Sequence, residues 1–326
     1  MSREQKNNWQ PSASLSNLKL RSQVIDAIRS FFKARQVLEI DTPILCSNTV
    51  TDPFISSIPA HVAINQNNKL KTYYLQTSPE YAMKRLLAAC PIPIFQITKS
   101  FRQGEIGHNH NPEFTMLEWY RPHYDHHQLM DEMDELLQSI LCCQKAIRKT
   151  YADLFFDILQ INPHQVELNH LKDCARKHHI HLANEVTDKD TWLDLLMSHC
   201  IEPKLLGDRP FFIYDFPASQ AALARIKKGD PSVAMRFEVY AQGRELANGF
   251  YELQDAHEQR LRFETNLLKR NELGLDELPI DEYFLSALNT GLPDCSGVAL
   301  GVDRLIMLVA ESDNIQDILS FDFSRV

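Results

Sequence analysis

Glycine is scarce in this chain: 10 residues of 326, about 3% where roughly 7% is ordinary. There is no G-x-G-x-x-G and no G-x-x-x-x-G-K-[ST], so neither a dinucleotide-binding Rossmann turn nor a P-loop is available to cradle phosphates with backbone amides. A triphosphate would have to be held by side chains. The C-x-x-C pair is also missing. The seven cysteines (46, 90, 142, 143, 174, 200 and 295) are odd in number and form no C-x-x-C, which speaks against a thiol zinc site and for reduced cysteines in a cytosolic compartment. Basic charge is in deficit, 34 Lys+Arg against 43 Asp+Glu for a net charge of −9, so no global basic field draws the chain to a phosphate backbone. A local basic patch remains open. No apolar run reaches the roughly 18 residues of a membrane span, and residues 1–10 are polar, without the apolar stretch of a signal peptide. The expectation is a cytoplasmic protein with no membrane association.

What is present suffices for a large core. With 44% hydrophobic residues, the chain fits one big domain, or one domain carrying an insertion. Residues 1–17 read as an arm and 18–326 as the domain. Apolar positions Leu18, Leu20, Val24, Ile25, Ile28, Phe31 and Phe32 follow helical spacing, predicting a helix over 18–36. Residues 37–43 alternate like a half-buried strand and end at Pro43. Residues 73–76 read as a strand, then Ser78 as a cap with Pro79 in the first turn of a helix through Cys90. Residues 125–149 read as a helix, and 151–209 as a helical insertion whose His178, His179 and His181 have no metal-binding spacing and read as solvated surface. From Pro210 onward, strands are expected over 211–216, 234–241, 244–250 and 295–300. Helices are expected over 254–272 and 281–289 and from about Gly301.

Two stretches carry chemistry. Phe101-Arg102-Gln103-Gly104-Glu105 and His110-Asn111-Pro112-Glu113-Phe114-Thr115-Met116-Leu117-Glu118 flank a short loop between two apolar runs. A strand, a loop and a strand with an inward arginine suit a nucleoside triphosphate, because guanidinium grips phosphate in a planar fork and an aromatic can lie under a base. The second stretch, residues 236–253, places Glu238, Glu245 and Glu252 at intervals of seven. On one extended strand an odd interval alternates faces, so Gln242-Gly243 must turn the chain for Glu238 and Glu245 to converge. Converging carboxylates serve either Mg²⁺ or a substrate ammonium; taken singly, each acid could equally be a solvated strand edge.

The stretch from Phe101 to Glu118 resembles motif 2 of the class II aminoacyl-tRNA synthetases. Cys295-Ser296-Gly297-Val298-Ala299-Leu300-Gly301-Val302-Asp303-Arg304 resembles their motif 3, and the helix, strand and Pro43 resemble motif 1, which builds their dimer interface. G-R-E-L-A-N-G-F-x-E-L and H-N-P-E-F-T-M-L-E-W-Y are similar to the lysyl-tRNA synthetases. Only some 17 residues precede the first helix, so the anticodon-reading domain of those enzymes is expected to be missing. With W-Q-P-S-A-S near the start and P-A-S-Q-A at 217–221, the chain resembles the family of elongation factor P lysine ligases.

The resemblance implies an α+β fold, a class II catalytic core with an antiparallel sheet flanked by helices. It implies a homodimer that uses ATP and Mg²⁺ to activate (R)-β-lysine, or lysine, and joins it to a lysine of elongation factor P. Arg102 would grip the α-phosphate, Phe114 and Arg304 would sandwich adenine, and Arg304 would also reach the γ-phosphate. Gln103, Gly104, Glu105, Asn111, Glu245, Leu246 and Gly301 would line the ATP site, with Glu238 and Glu245 on Mg²⁺. Ser78, Pro79 and Glu80 would take the backbone-end amine, and Glu252 with Tyr120 the far ammonium. Ser78 and Ala299, where lysyl-tRNA synthetases usually carry Ala and Gly, would suit a β-amino acid. The usual F-R-x-E has Gly104 in the place of its acid, with Glu105 following, so Glu105 substitutes through a loop shift or one ATP contact is lost. The alternatives are an enzyme that charges tRNA, which the net charge and the missing reader disfavour, and an inactive regulatory paralogue.

Overall fold

The computed structural model describes residues 9–64, 69–182 and 186–326. The first eight residues of the expected arm, and 183–185 within the expected insertion, lie outside the described residues. The chain divides into two compact units. The first comprises Met1–His123, Gln254–Cys295 and Ala299–Val326, and the second Tyr124–Leu253 and Ser296–Val298.

The first unit begins with α1 (Leu15–Ala34). Ser14 caps it, accepting from the Asn17 amide, so the helix starts three residues earlier than the apolar spacing suggests. Then come β1 (Leu38–Glu39), β2 (Leu45–Cys46), β3 (Pro59–Ala63) and β4 (Leu70–Leu75), with α2 (Glu80–Ala89), β5 (Ile94–Phe101) and β6 (Glu113–Pro122). β4 pairs antiparallel with both β2 and β3. β5 pairs antiparallel with β6, in a register that sets Phe101 opposite Glu113 and Ser100 opposite Phe114.

β1 corrects an expectation. It is two residues long and parallel to β5, and Leu38 and Glu39 are both exposed. At the edge of its sheet it pairs on one side only, and burial in this stretch falls on the preceding Val37 instead. The unit's core stacks Phe32 of α1 on Phe95 of β5 at 4.6 Å and sets it edge-on to Trp119 of β6 at 5.2 Å.

In the second unit, α3 (His126–Leu141) starts at a capping box between Asp125 and Gln128. It ends at Cys142, whose φ of 52° is left-handed, and not near Lys149 as expected. Residues 147–150 instead form β7 (Ile147–Thr150), parallel to β8, because long-range pairing outweighs local helical preference. Next are α4 (Tyr151–Leu159), α5 (Leu168–Lys177) and α6 (Lys189–Leu196), then β8 (Phe211–Pro217), β9 (Ile226–Lys227), β10 (Val233–Ala241) and β11 (Arg244–Tyr251). β10 pairs antiparallel with β8, β9 and β11. A buried cluster that includes Tyr151, Phe155, Leu171, Trp192, Leu196 and Phe216 packs α4, α5 and α6 onto this sheet.

The chain returns to the first unit with α7 (Ala256–Glu272) and α8 (Glu282–Gly291). β12 (Cys295–Gly301) and α9 (Val302–Val309) follow. Helices and largely antiparallel strands make the fold α+β, as expected. All seven cysteines are free, and among the described residues no helix is long and apolar enough to cross a membrane.

Candidate functional site

In the first unit, Arg102 leaves β5 and enters the loop to β6, its amide bonded to the Pro112 carbonyl at 2.9 Å. Its guanidinium lies 5.1 Å from the centroid of Phe114, at the start of β6. Nη1 is 3.5 Å from Glu105 Oε1, an ion pair within the loop. Gly104 turns the loop between them: its φ of +82° is left-handed, a conformation that strains any side chain, and among the described residues nothing stands within 4 Å of where a Cβ would be. Among the described residues, Arg102 Nε is a buried donor with no partner. An orphaned guanidinium N–H is costly unless a ligand accepts it.

The three motif-like segments are tied together just beside these residues. Arg21 of α1 bridges Asp303 Oδ1 and Thr115 Oγ1, each at 2.6 Å. Asp303 Oδ2 accepts from the Thr115 amide at 2.7 Å. This clamp holds the neighbours of Phe114 and Arg304. Arg304 stands at the start of α9, after Gly301 at its N-cap, and its Nη2 donates to His110 Nε2 at 2.7 Å.

Asn111 is bonded at both ends of its amide. Its Nδ2 donates to the Glu113 carbonyl at 2.7 Å and its Oδ1 accepts from the Phe323 amide at 2.9 Å. Gln103 is exposed, with its amide on the Ser56 carbonyl.

At α2, Pro79 is the N-cap residue and makes no side-chain cap, while Ser78 Oγ stands 3.5 Å from the Glu80 amide. Ser78 is therefore one residue outside the cap position expected of it. Glu80 Oε1 holds the buried ammonium of Lys84 at 2.7 Å. On β6, the buried Tyr120 donates to Glu118 Oε1 at 2.6 Å. Ala299 is half-buried on β12.

In the second unit, Gln242 (φ 50°) and Gly243 (φ 71°) make the turn between β10 and β11. Tyr240 is opposite Glu245 and Glu238 opposite Asn248, with a bulge between. The turn places Glu238 and Glu245 on one face. The bulge at the buried Leu246 absorbs the odd interval, so alternation along β11 brings Glu252 onto that face as well. Glu238 accepts from Tyr240 Oη at 2.6 Å and pairs with Arg236. Burial, offset in part by Arg236, and the nearby Glu245 push its pKa up to about 7. Two hard carboxylates held on one face under mutual repulsion fit a cation such as Mg²⁺, which takes one or two carboxylates and completes its shell from phosphates and water. Among the described residues, no group of three or more His, Cys, Asp or Glu side chains is placed to hold a metal.

The family model for tRNA synthetases class II (D, K and N) matches residues 7–325. The chain belongs to the class II tRNA synthetase family. Within this class II family, a chain from Pectobacterium atrosepticum is 49% identical over 319 residues, 98% of each chain. One from Hamiltonella defensa is 50% identical over 319 residues, again 98% of each. One from Salmonella typhi is 49% identical over 318 residues, 97% of this chain and 98% of the relative. All three are named elongation factor P--(R)-beta-lysine ligase.

Several residues beside these candidates escaped sequence reasoning. His110 lies inside the quoted motif, yet its partner Arg304 becomes visible only with the fold; Glu118 and Tyr120 are two residues apart on β6 and so share a face. Lys84 carried a signal, since it is four residues from Glu80 and in reach on a helix. Arg236 and Tyr240 are two residues either side of Glu238 and so share its face. Glu202 is 3.4 Å from Tyr240 Oη, and no local pattern announces it.

Proposed function

We propose that this class II enzyme is a ligase that activates (R)-β-lysine with ATP and transfers it to a lysine amine of elongation factor P. Identity of 49–50% over 97–98% of the chain to relatives of that name supports the reading. The geometric observation that carries its nucleotide half is the orphaned, buried Arg102 Nε beside the Phe114 ring.

Arg102 would take the α-phosphate and stabilise charge as the lysine carboxylate attacks phosphorus and pyrophosphate departs. Phe114 would carry the base and Arg304, oriented by His110, the far phosphate. Gln103, Glu105, Asn111, Leu246 and Gly301 would line the nucleotide. Mg²⁺, when bound to Glu238 and Glu245, would supply charge neutralisation to the phosphates. Ser78, Pro79 and Glu80 would receive one amine, and Glu252 and Tyr120, with Glu118, the other. Ser78 and Ala299 would favour the β-isomer, a discrimination of about 1–3 kcal/mol for groups of this size. In the second half-reaction the neutral lysine amine of elongation factor P attacks the acyl carbon and AMP leaves, so no enzyme nucleophile is needed. A translation factor as acceptor makes the cytoplasm the proposed compartment, and the resemblance of the first helix, strand and Pro43 to motif 1 makes a homodimer the proposed assembly.

Intact mass of elongation factor P after incubation with the enzyme, ATP, Mg²⁺ and either isomer tests this. A gain of one lysyl unit, strongest with (R)-β-lysine, is the expected result. Charged tRNA without a protein adduct would replace the reading with a tRNA-charging enzyme. Light scattering on a gel-filtration column tests the dimer, which a clean monomer at micromolar concentration removes.

A further inference from the structure

Arg236 is held on three edges and one face, all within the second unit. Nε donates to Asn248 Oδ1 at 3.0 Å and Nη1 to the Gln220 carbonyl at 3.0 Å. Nη2 donates to Glu238 Oε1. The guanidinium carbon lies 4.6 Å from the centroid of the Phe216 ring. With its three donor atoms on three different partners, the fork cannot turn without breaking a bond, so the Glu238 oxygen it holds is fixed in direction. Tyr240 fixes the other oxygen at 2.6 Å.

The Gln220 that receives Nη1 is itself fastened. Its Nε2 donates to Asp194 Oδ1 of α6 at 2.8 Å, and the preceding Ser219 donates to Asp190 Oδ1, also on α6, at 2.8 Å. Gln220 and Ser219 are the polar pair of the P-A-S-Q-A segment at 217–221. A chain of contacts therefore runs from α6, through that segment, to Arg236 and on to a carboxylate suited to Mg²⁺.

We propose that Arg236 is a positioning residue that presents Glu238 to the metal, and that α6 sets Arg236 through Gln220. The proposal rests on the assignment of Glu238 and Glu245 to Mg²⁺ and deepens it. In this arrangement the 151–209 segment supplies the anchor for the carboxylate that the cation needs. The fork geometry is what matters, so a lysine, with the same charge and no fork, cannot replace Arg236.

The test is a calorimetric titration of Mg²⁺ into the full chain saturated with a non-cleavable ATP analogue, comparing wild type, R236K, Q220A and E245Q. Melting in metal-free buffer monitors the fold. R236K is expected to weaken Mg²⁺ by roughly tenfold, the usual scale for a residue that orients a metal ligand. Q220A, a change to a half-buried side chain, is expected to weaken it by about threefold, as part of that orientation is lost. Wild-type Mg²⁺ affinity in R236K overturns the role of Arg236. Wild-type affinity in Q220A overturns the α6 anchor, and does so even if R236K fails to fold. A wild-type chain that binds no Mg²⁺, or an E245Q that binds it normally, overturns the metal assignment itself and the proposal with it.

Discussion

Tyr240 and Glu245 stand opposite each other across the β10–β11 ladder, immediately before the bulge that carries Leu246. That pairing, with Glu238 two residues back along β10, gathers acidic side chains on one face of a buried hairpin. The arrangement is electrostatically uneasy, and its consequences are measurable.

Glu238 is pushed up to about pKa 7 by burial, with Glu245 adding to the rise, from an ordinary value of 4.5. A carboxyl raised on folding contributes stability that is fully present below its unfolded value and lost as pH climbs through its folded value. In metal-free buffer the contribution of Glu238 should therefore decline between about pH 4.5 and pH 7, by on the order of 2–3 kcal/mol. Denaturant midpoints of wild type and E238Q across this range check it: the gap between them should change with pH, and parallel curves refute the idea.

Arg102→Lys keeps the charge and loses the fork together with the Nε donor. Loss of a preorganised donor to developing charge costs about 10²–10³ in rate. ATP–pyrophosphate exchange driven by (R)-β-lysine should fall by this amount while the melting temperature stays put.

Gly104→Ala meets no steric neighbour, yet its φ of +82° penalises a side chain. The loop should relax and withdraw Glu105 from Arg102, weakening ATP in a binding titration at a cost of about 1 kcal/mol. An alanine variant that binds ATP like wild type would show that the turn is dispensable.

Gly249 lies under the Phe237 ring, its Cα partner on β10. An alanine there must displace a fully buried aromatic, so G249A should lose about 1–3 kcal/mol in denaturant unfolding.

Much of the fold was legible beforehand. The β5–β6 hairpin, the β10–β11 pair and the helices after β11 follow from apolar period and turn residues, because those are local signals. The end of α3 was not, since Ile147 pairs with Phe211, a partner 64 positions away that no window contains. β1 misled for the opposite reason: its alternation is genuine, but only two of its residues find a strand partner, and which residues are buried depends on packing that alternation alone does not specify.

The candidate site divides in the same way. Sequence by itself determined which side chains carry charge, aromatic rings and donors, and the similarity of the motifs determined the family. The tertiary structure decided which of them meet. A bulge of one residue at Leu246 places Glu252 on the face of Glu238 and Glu245, and a left-handed Gly104 turns the loop between Arg102 and Glu105. The fold also set Arg236 between α6 and a carboxylate. Each of these depends on backbone direction at a single residue and on partners distant in the chain, quantities that composition and spacing do not contain.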